Sequence, residues 1–342
     1  MKKLKSSKSI VLITIFLILL LINLAVFVVK YNSIKNNPLE SDKANITFNV
    51  EKGESLHGLF DRLNNENVLR SSFFSKIYIK FNNVTESIKP GTYTVKSDIT
   101  FPEFLTVLTE GKVSETKVTF PEGYTVEDMA KKFEESGVCT KEAFLTAVKE
   151  YPLPSYIKPN SERKYELEGF LFPDTYSIPN GTTPKQIVGM MLNRFEMVMS
   201  EIQSELGITI PDADYEKYVT IASMIEKEAR DDSERPEIAS VIYNRLEKGM
   251  PMQIDATVLY ALGEHKDVVL YKDLKVDSPY NTYKIKGLPV GPICNPGKPS
   301  LMAAIRPAKT DYIYYLLNPK DNKHYFTNSY EDFLAKKKEF GY

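Results

Sequence analysis

The chain has 342 residues, of which 42% are apolar and 26% are charged, so it is a globular protein with two or three modules. Its formal net charge is only −1, which argues against a nucleic-acid partner because nucleic-acid-binding proteins need a basic surface for the phosphates. Two cysteines, Cys139 and Cys294, and three histidines give neither a disulfide framework nor a metal-ligand spacing. We therefore expect two unpaired thiols and no metal or other cofactor.

The N-terminal segment predicts a membrane anchor. Four lysines precede the run IVLITIFLILLLINLAVFVV, which covers residues 10–29 without a charge and is long enough to span a bilayer. A cleavable signal peptide has a shorter apolar core and a small-x-small site, whereas KYNSIKNN follows here. A buried core helix would keep a polar stripe. The lysines favour a cytoplasmic N-terminus, so we expect a tail and transmembrane anchor over 1–30 in the cell membrane, with the remaining chain and its substrate outside.

Residues 31–44 are polar and predict a short tether, after which a repeated plan begins. The segment ITFNVEKGESLHGLFDRL alternates like a strand, turns at Gly53 and then shows helical spacing. The segment KVTFPEGYTVEDMAKKF repeats this plan about 70 residues later, with Gly123 matching Gly53. Ser55 and Thr125 are suited to cap the two helices. The pattern predicts an internal repeat of strand, turn and helix.

The first copy and the following IKPGTYTVKSDITFPEFLTVL resemble a LysM-like module, a small βααβ fold often used to hold glycan. The G-x-S/T-L start and the strand-like GTYTV carry this resemblance. We assign the module to residues 45–116. Both glycan binding and simple packing or spacing are consistent with it.

Two carboxylic acids fall within an apolar helical run, ASMIEKEAR. From Tyr215 to about Arg230 the apolar residues have helical spacing, which places Glu226 in the buried stripe and Glu228 at its margin. A carboxyl group against apolar walls has a raised pKa and can hold a proton near neutrality, as a general acid must. Glycosidic-bond cleavage most often requires such an acid. The alternative is that each acid pairs with a basic neighbour, Lys227 or Arg230, at the surface.

The segments that follow offer candidate contacts for a substrate. A supporting helix is predicted from Pro236 to Lys248, followed by MQIDATVLYALG and by DSPYNTYKIKGLPVGPICNPG, which is too rich in Gly and Pro for regular structure. Aromatic faces with amide and hydroxyl groups on a rigid loop suit a sugar chain. They equally suit ordinary turn chemistry.

The strings EGFLFPDTY, ASMIEKEA, ASVIYNRL, MQIDATVLY, SPYNTY, GLPVGPICNPG and RPAKTDYIYY, in this order, resemble the endolytic murein transglycosylases of the MltG (YceG-like) family over almost the whole chain. The resemblance implies an α+β fold, with a lysozyme-like catalytic domain of the YceG type over residues 117–342. It also implies cleavage of nascent peptidoglycan strands between N-acetylmuramic acid and N-acetylglucosamine, leaving a 1,6-anhydromuramoyl end. One acid suffices, since the group that protonates the glycosidic oxygen then takes the proton of the C6 hydroxyl.

The resemblance favours Glu228 as this acid, because lysozyme-like lytic transglycosylases carry theirs before a small residue near a helix end. The helical wheel alone favours Glu226, which stays the alternative, or a supporting partner. Asp255 matches the family pattern but could instead cap the following helix. The residues that the resemblance places along the glycan groove are Gln253, Asp255, Thr257, Tyr280, Asn281, Thr282 and Tyr283.

Two other functions are consistent with parts of the sequence. One is a non-catalytic peptidoglycan-binding or division scaffold, which has no need of acids in an apolar helix. The other is a muramidase that hydrolyses with water and uses Asp255 or another acid as the base. The expected partners are peptidoglycan strands and, through residues 10–29, the membrane. Cell-wall synthases or division proteins are further candidates.

Overall fold

The computed structural model describes residues 2–41, 43–84, 87–111, 115–264, 266 and 269–342, with side chains from Val11 onward. The chain divides into two compact units, Met1–Thr116 with Pro179–Gly181, and Lys117–Ile178 with Thr182–Tyr342. In the described ranges it forms twelve α-helices and three two-stranded sheets. The mixed helix and sheet composition agrees with the predicted α+β class, whereas the functions assigned to the domains stay predictions.

The first unit is built around one antiparallel strand pair and the helices that cover it. Its elements are α1 (Lys2–Asn36), β1 (Asn45–Val50), α2 (Leu56–Asn65), α3 (Ser72–Asn82), β2 (Gly91–Lys96) and α4 (Phe101–Glu110). Strand β1 alternates exposed and buried residues, and Phe48 lies opposite Tyr93 of β2. The order β1–α2–α3–β2 is the βααβ order that the sequence predicts, but the identity of this unit as a LysM-like module stays a prediction.

Helix α1 carries the apolar run and then continues into the first unit. Residues 11–29 are exposed, and α1 is long and apolar enough to cross a membrane. Beyond the run, Ile34 and Leu39 are buried, Leu39 forms an isolated bridge with Leu69, and Arg70 Nε donates a 2.8 Å hydrogen bond to the Leu39 carbonyl. The stretch predicted as a tether is therefore helical up to Asn36, and its apolar residues Ile34 and Leu39 join the core of the unit.

The second unit is mainly helical and holds the larger core. Its elements are β3 (Glu115–Thr119), α5 (Val126–Glu135), α6 (Lys141–Glu150), β4 (Thr175–Pro179), α7 (Pro184–Leu206), α8 (Asp212–Glu228), α9 (Arg235–Glu247), α10 (Asp255–Leu262), α11 (Lys298–Ile305), β5 (Tyr314–Asn318), β6 (Lys323–Thr327) and α12 (Tyr330–Phe340). Strands β3 and β4 pair, and β5 and β6 form an antiparallel hairpin. Residues Val219–Ile225 of α8 are all buried, so α8 is a central helix of this unit.

The predicted internal repeat is confirmed at the level of local structure. Helix α2 follows the cap residue Ser55, whose side chain accepts from the backbone N–H of Gly58, and α5 follows Thr125, whose side chain accepts from the N–H of Asp128. Gly53 and Gly123 have φ of 86° and 80°, a left-handed conformation that glycine adopts without steric cost. In each copy the capped helix follows a strand and precedes a second helix, α3 or α6.

Candidate active site

Glu228 is the last residue of α8, at the end of a buried helix. The helix stops there because Ala229 adopts an extended conformation, with φ of −63° and ψ of 133°. Oε2 of Glu228 accepts a 2.9 Å hydrogen bond from the Tyr315 hydroxyl, while the other carboxylate oxygen has no hydrogen-bond partner among the described residues. Burial raises the pKa of this carboxyl group, and the Tyr315 hydrogen bond opposes that rise. Glu228 is therefore held at one oxygen and free to exchange a proton at the other.

Tyr315 is fixed by the hairpin that carries it. It lies on β5, and its ring meets the ring of His324 on β6 edge-on, with centroids 5.3 Å apart. Glu234 holds His324 twice, accepting from its backbone N–H at 2.7 Å and lying 2.8 Å from its Nδ1. Burial raises the pKa of Tyr315 well above its ordinary value, so the phenol stays protonated and remains a donor to Glu228.

Asp255 and Tyr283 form a second polar pair, and both act electrostatically with Glu228. The Tyr283 hydroxyl donates a 2.5 Å hydrogen bond to Oδ1 of Asp255. The charge of Asp255 helps to raise the pKa of Glu228, and the charge of Glu228 helps to raise the pKa of Tyr283, although burial is the main cause of both rises. The N-cap of α10 is Ile254, and no side chain caps that end, so the alternative role of Asp255 as a cap is wrong.

The chain before α10 is held by an arginine that the sequence analysis did not single out. Arg245 of α9 donates to the carbonyl oxygens of Met252 and Ile313 at 2.7 Å each. Gln253, the next residue after Met252, is exposed and has a left-handed φ of 54°, a conformation that disfavours residues other than glycine. The backbone at Gln253 is fixed by the Met252 carbonyl, which accepts from Arg245, and by the Gln253 N–H, which donates to the Thr282 carbonyl at 3.1 Å. Strained backbone of this kind recurs at ligand-binding sites.

Four of the predicted groove residues are buried and cannot line a groove in this conformation. Thr257, Tyr280, Asn281 and Thr282 are at most 4% exposed. Thr257 and Thr282 join their hydroxyls at 2.9 Å, and Asn281 donates to the carbonyls of Leu274 and Val276. Their polar groups hydrogen-bond within the fold, so the prediction that these four residues line a groove is corrected. Gln253, Asp255 and the partly buried Tyr283 are the three that reach the surface.

Glu226, the alternative acid, is committed to a structural network. Its Oε2 accepts from the Gly297 N–H at 3.0 Å and from the Ser300 hydroxyl at 2.8 Å, and it lies 3.3 Å from Nη1 of Arg235. These contacts join α8, α9 and the N-terminus of α11. A carboxylate that accepts from two donors and lies beside a guanidinium is suited to an ion pair that links these helices.

Glu168, in the string EGFLFPDTY, is a buried carboxyl group at the centre of another network. It accepts from the N–H of Val126 at 3.0 Å, from the Tyr260 hydroxyl at 2.9 Å and from Nδ2 of Asn295 at 3.0 Å. Burial raises its pKa to about 8. The sequence showed only an aromatic-lined turn here, whereas this carboxyl group ties the start of α5 to α10 and to the GLPVGPICNPG segment.

The described residues contain no group of three or more His, Cys, Asp or Glu side chains that could hold a metal ion. Cys139 is half-buried and Cys294 is buried, and both are free thiols.

The sequence of the chain matches the profile of the YceG-like family over residues 48–339. The chain belongs to the YceG-like family. Among relatives, it is 36% identical over 294 residues to the endolytic murein transglycosylase of Bacillus subtilis (strain 168), covering 82% of this chain and 81% of the relative. It is 31% identical over 328 residues to the endolytic murein transglycosylase of Streptococcus pneumoniae serotype 2, covering 86% of this chain and 58% of the relative.

A solved structure agrees with the YceG-like assignment. The crystal structure of a YceG-like protein from Listeria monocytogenes is 34% identical and superposes with a TM-score of 0.58, covering 86% of this chain and 100% of that one. The family resemblance read from the sequence motifs is thus confirmed. The chain spans just over half the length of its pneumococcal YceG-like relative.

Proposed function

We propose that this chain is a membrane-anchored lytic transglycosylase that cleaves peptidoglycan strands internally, between N-acetylmuramic acid and N-acetylglucosamine. The observation that carries the proposal is the state of Glu228, a carboxyl group with a raised pKa, one oxygen held by Tyr315 and the other free. The relatives from Bacillus subtilis and Streptococcus pneumoniae are endolytic murein transglycosylases, which supports the same reaction. The reaction is a lyase reaction, because it consumes no water.

In the first step, protonated Glu228 gives its proton to the glycosidic oxygen as the bond to C1 of the muramoyl residue breaks. Burial raises the pKa of Glu228 and so favours its protonated form, which is what a general acid needs. The free oxygen of Glu228 is the one that can reach substrate. The Tyr315 hydrogen bond fixes the rotamer of the side chain and stabilises the carboxylate that the step produces.

In the second step, the same carboxylate takes the proton of the C6 hydroxyl as that oxygen attacks C1. The new C6–O–C1 bond closes the 1,6-anhydro ring, and Glu228 is protonated again, so the cycle balances without water. A single residue thus serves as acid and then as base. Glu226 is poorly suited to either role because Arg235, Ser300 and the Gly297 N–H already hold it.

The sugar chain would lie along the exposed residues near Glu228. Gln253 offers an amide, and the Asp255–Tyr283 pair offers a carboxylate and an aromatic face, the groups that recognise hydroxyls and sugar rings. Arg245 and the buried Thr257, Tyr280, Asn281 and Thr282 would act by fixing the loops that present these three residues.

A muramidase is the second candidate, because Asp255 lies close enough to act on the charge of Glu228 and could serve as a base for water. The full-length protein in detergent, digesting uncrosslinked glycan strands in ¹⁸O-labelled water, distinguishes the two by mass spectrometry. Anhydromuramoyl ends without ¹⁸O support the transglycosylase. Reducing ends that carry ¹⁸O would establish the muramidase, and intact strands would point to a non-catalytic scaffold.

We further propose that residues 10–29 anchor the protein in the cell membrane, with a cytoplasmic N-terminus and the second unit outside. The exposed apolar run of α1 and the four lysines before it support this topology. The first unit, with its βααβ order, would hold glycan as a LysM-like module, and cell-wall synthases or division proteins are candidate partners. Protease added outside intact cells should degrade both units, and their survival there would contradict the topology.

A further inference from the structure

Helix α3 carries an exposed apolar stripe. Phe73, Ile77 and Phe81 are spaced four residues apart and therefore share one face of the helix. Phe73 is 64% exposed and Phe81 is 73% exposed, so both are available to a partner. Single exposed apolar residues are ordinary on soluble proteins. The position of this stripe relative to the anchor helix is what indicates a function for it.

The same helix packs directly on the anchor helix. The ring of Phe74 lies 5.4 Å from that of Phe27 of α1, and Tyr78 stacks on Tyr31 of α1 with centroids 6.0 Å apart. A step of four residues on α3 thus matches a step of four residues on α1. The two helices therefore run side by side in the same direction, and the N-terminal end of α3 lies level with Phe27.

This pairing sets the depth of α3 against a bilayer. The apolar run ends at Val29, so Phe27 lies about 3 Å inside the end of the run, at a rise of 1.5 Å per residue. Phe73 adjoins Phe74, with ring centroids 5.3 Å apart, and therefore lies at the boundary between hydrocarbon and headgroups. Phe81 is eight residues further, about 12 Å along the helix, which places it roughly 7 to 8 Å beyond the end of the apolar run, at the outer edge of the headgroup layer.

The side chains around Phe73 suit an interface between lipid and water. Aromatic rings concentrate at this level, and lysines nearby can reach the headgroups through their long stems. Lys76 follows Phe73 by three residues and is neutralised by Asp61, with Nζ 2.6 Å from its carboxylate. Lys30, at the end of the apolar run, is exposed. The acidic side chain named here, Asp61, is therefore paired with Lys76 and does not face the lipid as an isolated charge.

We propose that the N-terminal turn of α3 is a second membrane contact, in which Phe73 inserts into the leaflet adjacent to the first unit. The inference rests on the membrane anchoring proposed above and adds a fixed orientation of the first unit at the membrane surface. Helix α1 continues unbroken to Asn36, and Ile34 is buried in the first unit, so a continuous helix joins the anchor to the unit. Insertion of Phe73 at a second point would keep that unit close to the lipid surface.

Tryptophan fluorescence tests the contact, because the chain has no tryptophan. Three single substitutions, Phe73→Trp, Phe81→Trp and Phe16→Trp, each give a full-length protein with one tryptophan, reconstituted into vesicles whose acyl chains carry bromine as a quencher. Phe16 lies within the apolar run and reports the anchor. We expect blue-shifted emission and strong quenching for Phe73→Trp and Phe16→Trp, and water-like, weakly quenched emission for Phe81→Trp.

Each other outcome overturns the proposal in a distinguishable way. Quenching of Phe16→Trp without quenching of Phe73→Trp leaves the anchor in place and removes the second contact. Loss of quenching at both positions removes the anchoring itself. Blue-shifted emission of Phe73→Trp that bromine does not quench, and that rises with the protein-to-lipid ratio, would show that a second copy of the chain covers Phe73. Equal quenching of Phe73→Trp and Phe81→Trp would contradict the depth derived from the Phe27–Phe74 contact.

Discussion

The Tyr315 hydroxyl donates a 2.9 Å hydrogen bond to Oε2 of Glu228, joining strand β5 to the end of helix α8 across 87 residues of chain. This hydrogen bond opposes the effect of burial on Glu228 and lowers its pKa, as do the charges of His324 and Arg230, whereas Asp255 raises it. Tyr315 thereby sets both where the carboxyl group lies and how tightly it holds its proton.

Tyr315→Phe should move the basic limb of the pH profile of kcat/KM to higher pH. The first step needs protonated Glu228, so activity is lost as pH rises through the Glu228 pKa, and removal of the donor raises that pKa further. The rate at the optimum should fall roughly tenfold or more, since a hydrogen bond to a charged group contributes about 1.5 to 3 kcal/mol.

The matched control for Tyr315→Phe is Tyr314→Phe, the neighbour on β5. The Tyr314 ring lies over the Arg245 guanidinium, and its hydroxyl has no hydrogen-bond partner within the described ranges. Tyr314→Phe should keep the wild-type pH profile. A basic limb that stays in place in Tyr315→Phe, or moves equally in both variants, would show that Tyr315 does not tune Glu228.

Gln253→Gly should raise stability and lower activity. Glycine tolerates the φ of 54° without steric cost, so the free energy of unfolding should increase by up to about 1 kcal/mol in chemical denaturation. The amide is lost at the same time, so KM for glycan strands should rise. Asn67→Gly, at φ of 57° in the first unit, serves as the control and should leave KM unchanged. Unaltered KM in Gln253→Gly would remove Gln253 from the groove.

Glu168→Gln should flatten the pH dependence of stability. The pKa of Glu168 is about 8 in the fold, against about 4.3 for glutamate in an unfolded chain, so the folded state retains a proton that the unfolded state releases. The stability from this group is present below pH 4.3 and is lost as pH rises through about 8. Denaturation of wild type and variant across this window should converge at low pH and diverge above it. Stability curves of wild type and Glu168→Gln that run parallel across this pH window would contradict the raised pKa of Glu168.

Glu168→Ala should destabilise the protein more than Glu168→Gln at every pH. It leaves the N–H of Val126, the Tyr260 hydroxyl and the Asn295 amide without their acceptor. A buried donor without a partner costs about 1 to 3 kcal/mol, so the total loss should reach several kcal/mol. Equal midpoints in denaturant for the two variants would show that these donors find other partners.

Features that depend on local periodicity and on helix capping could be predicted from the sequence. The spacing of apolar residues placed Glu226 and Glu228 on one helix, and Ser55 and Thr125 begin their helices as expected. The role of Tyr315 could not be predicted from the sequence, because its contact with Glu228 depends on a hairpin far along the chain. The family resemblance suggested groove positions for Thr257 and Asn281 but carried no information on where their side chains point, and both are buried and hydrogen-bonded inside the fold.

The choice between the two acids also needed the structure. The helical wheel correctly placed Glu226 toward the interior, but its partners, the Gly297 N–H and Ser300, lie more than 70 residues away in sequence. That network gives Oε2 of Glu226 three partners, whereas the hydrogen-bond partner of Glu228 is Tyr315, and this difference supports the proposal of Glu228 as the acid.

Turnover per folded molecule in Glu228→Gln and Glu226→Gln, measured on the same glycan strands, tests the central claim most directly. Glu228→Gln removes the proposed proton donor and acceptor, so the rate should fall at least 10²- to 10⁴-fold, while stability holds or rises because a costly buried acid is gone. Glu226→Gln should lose about 3 to 5 kcal/mol of stability by breaking the buried ion pair with Arg235, yet keep most of its rate when folded. An active Glu228→Gln beside a folded but inactive Glu226→Gln would contradict the account and assign the acid to Glu226.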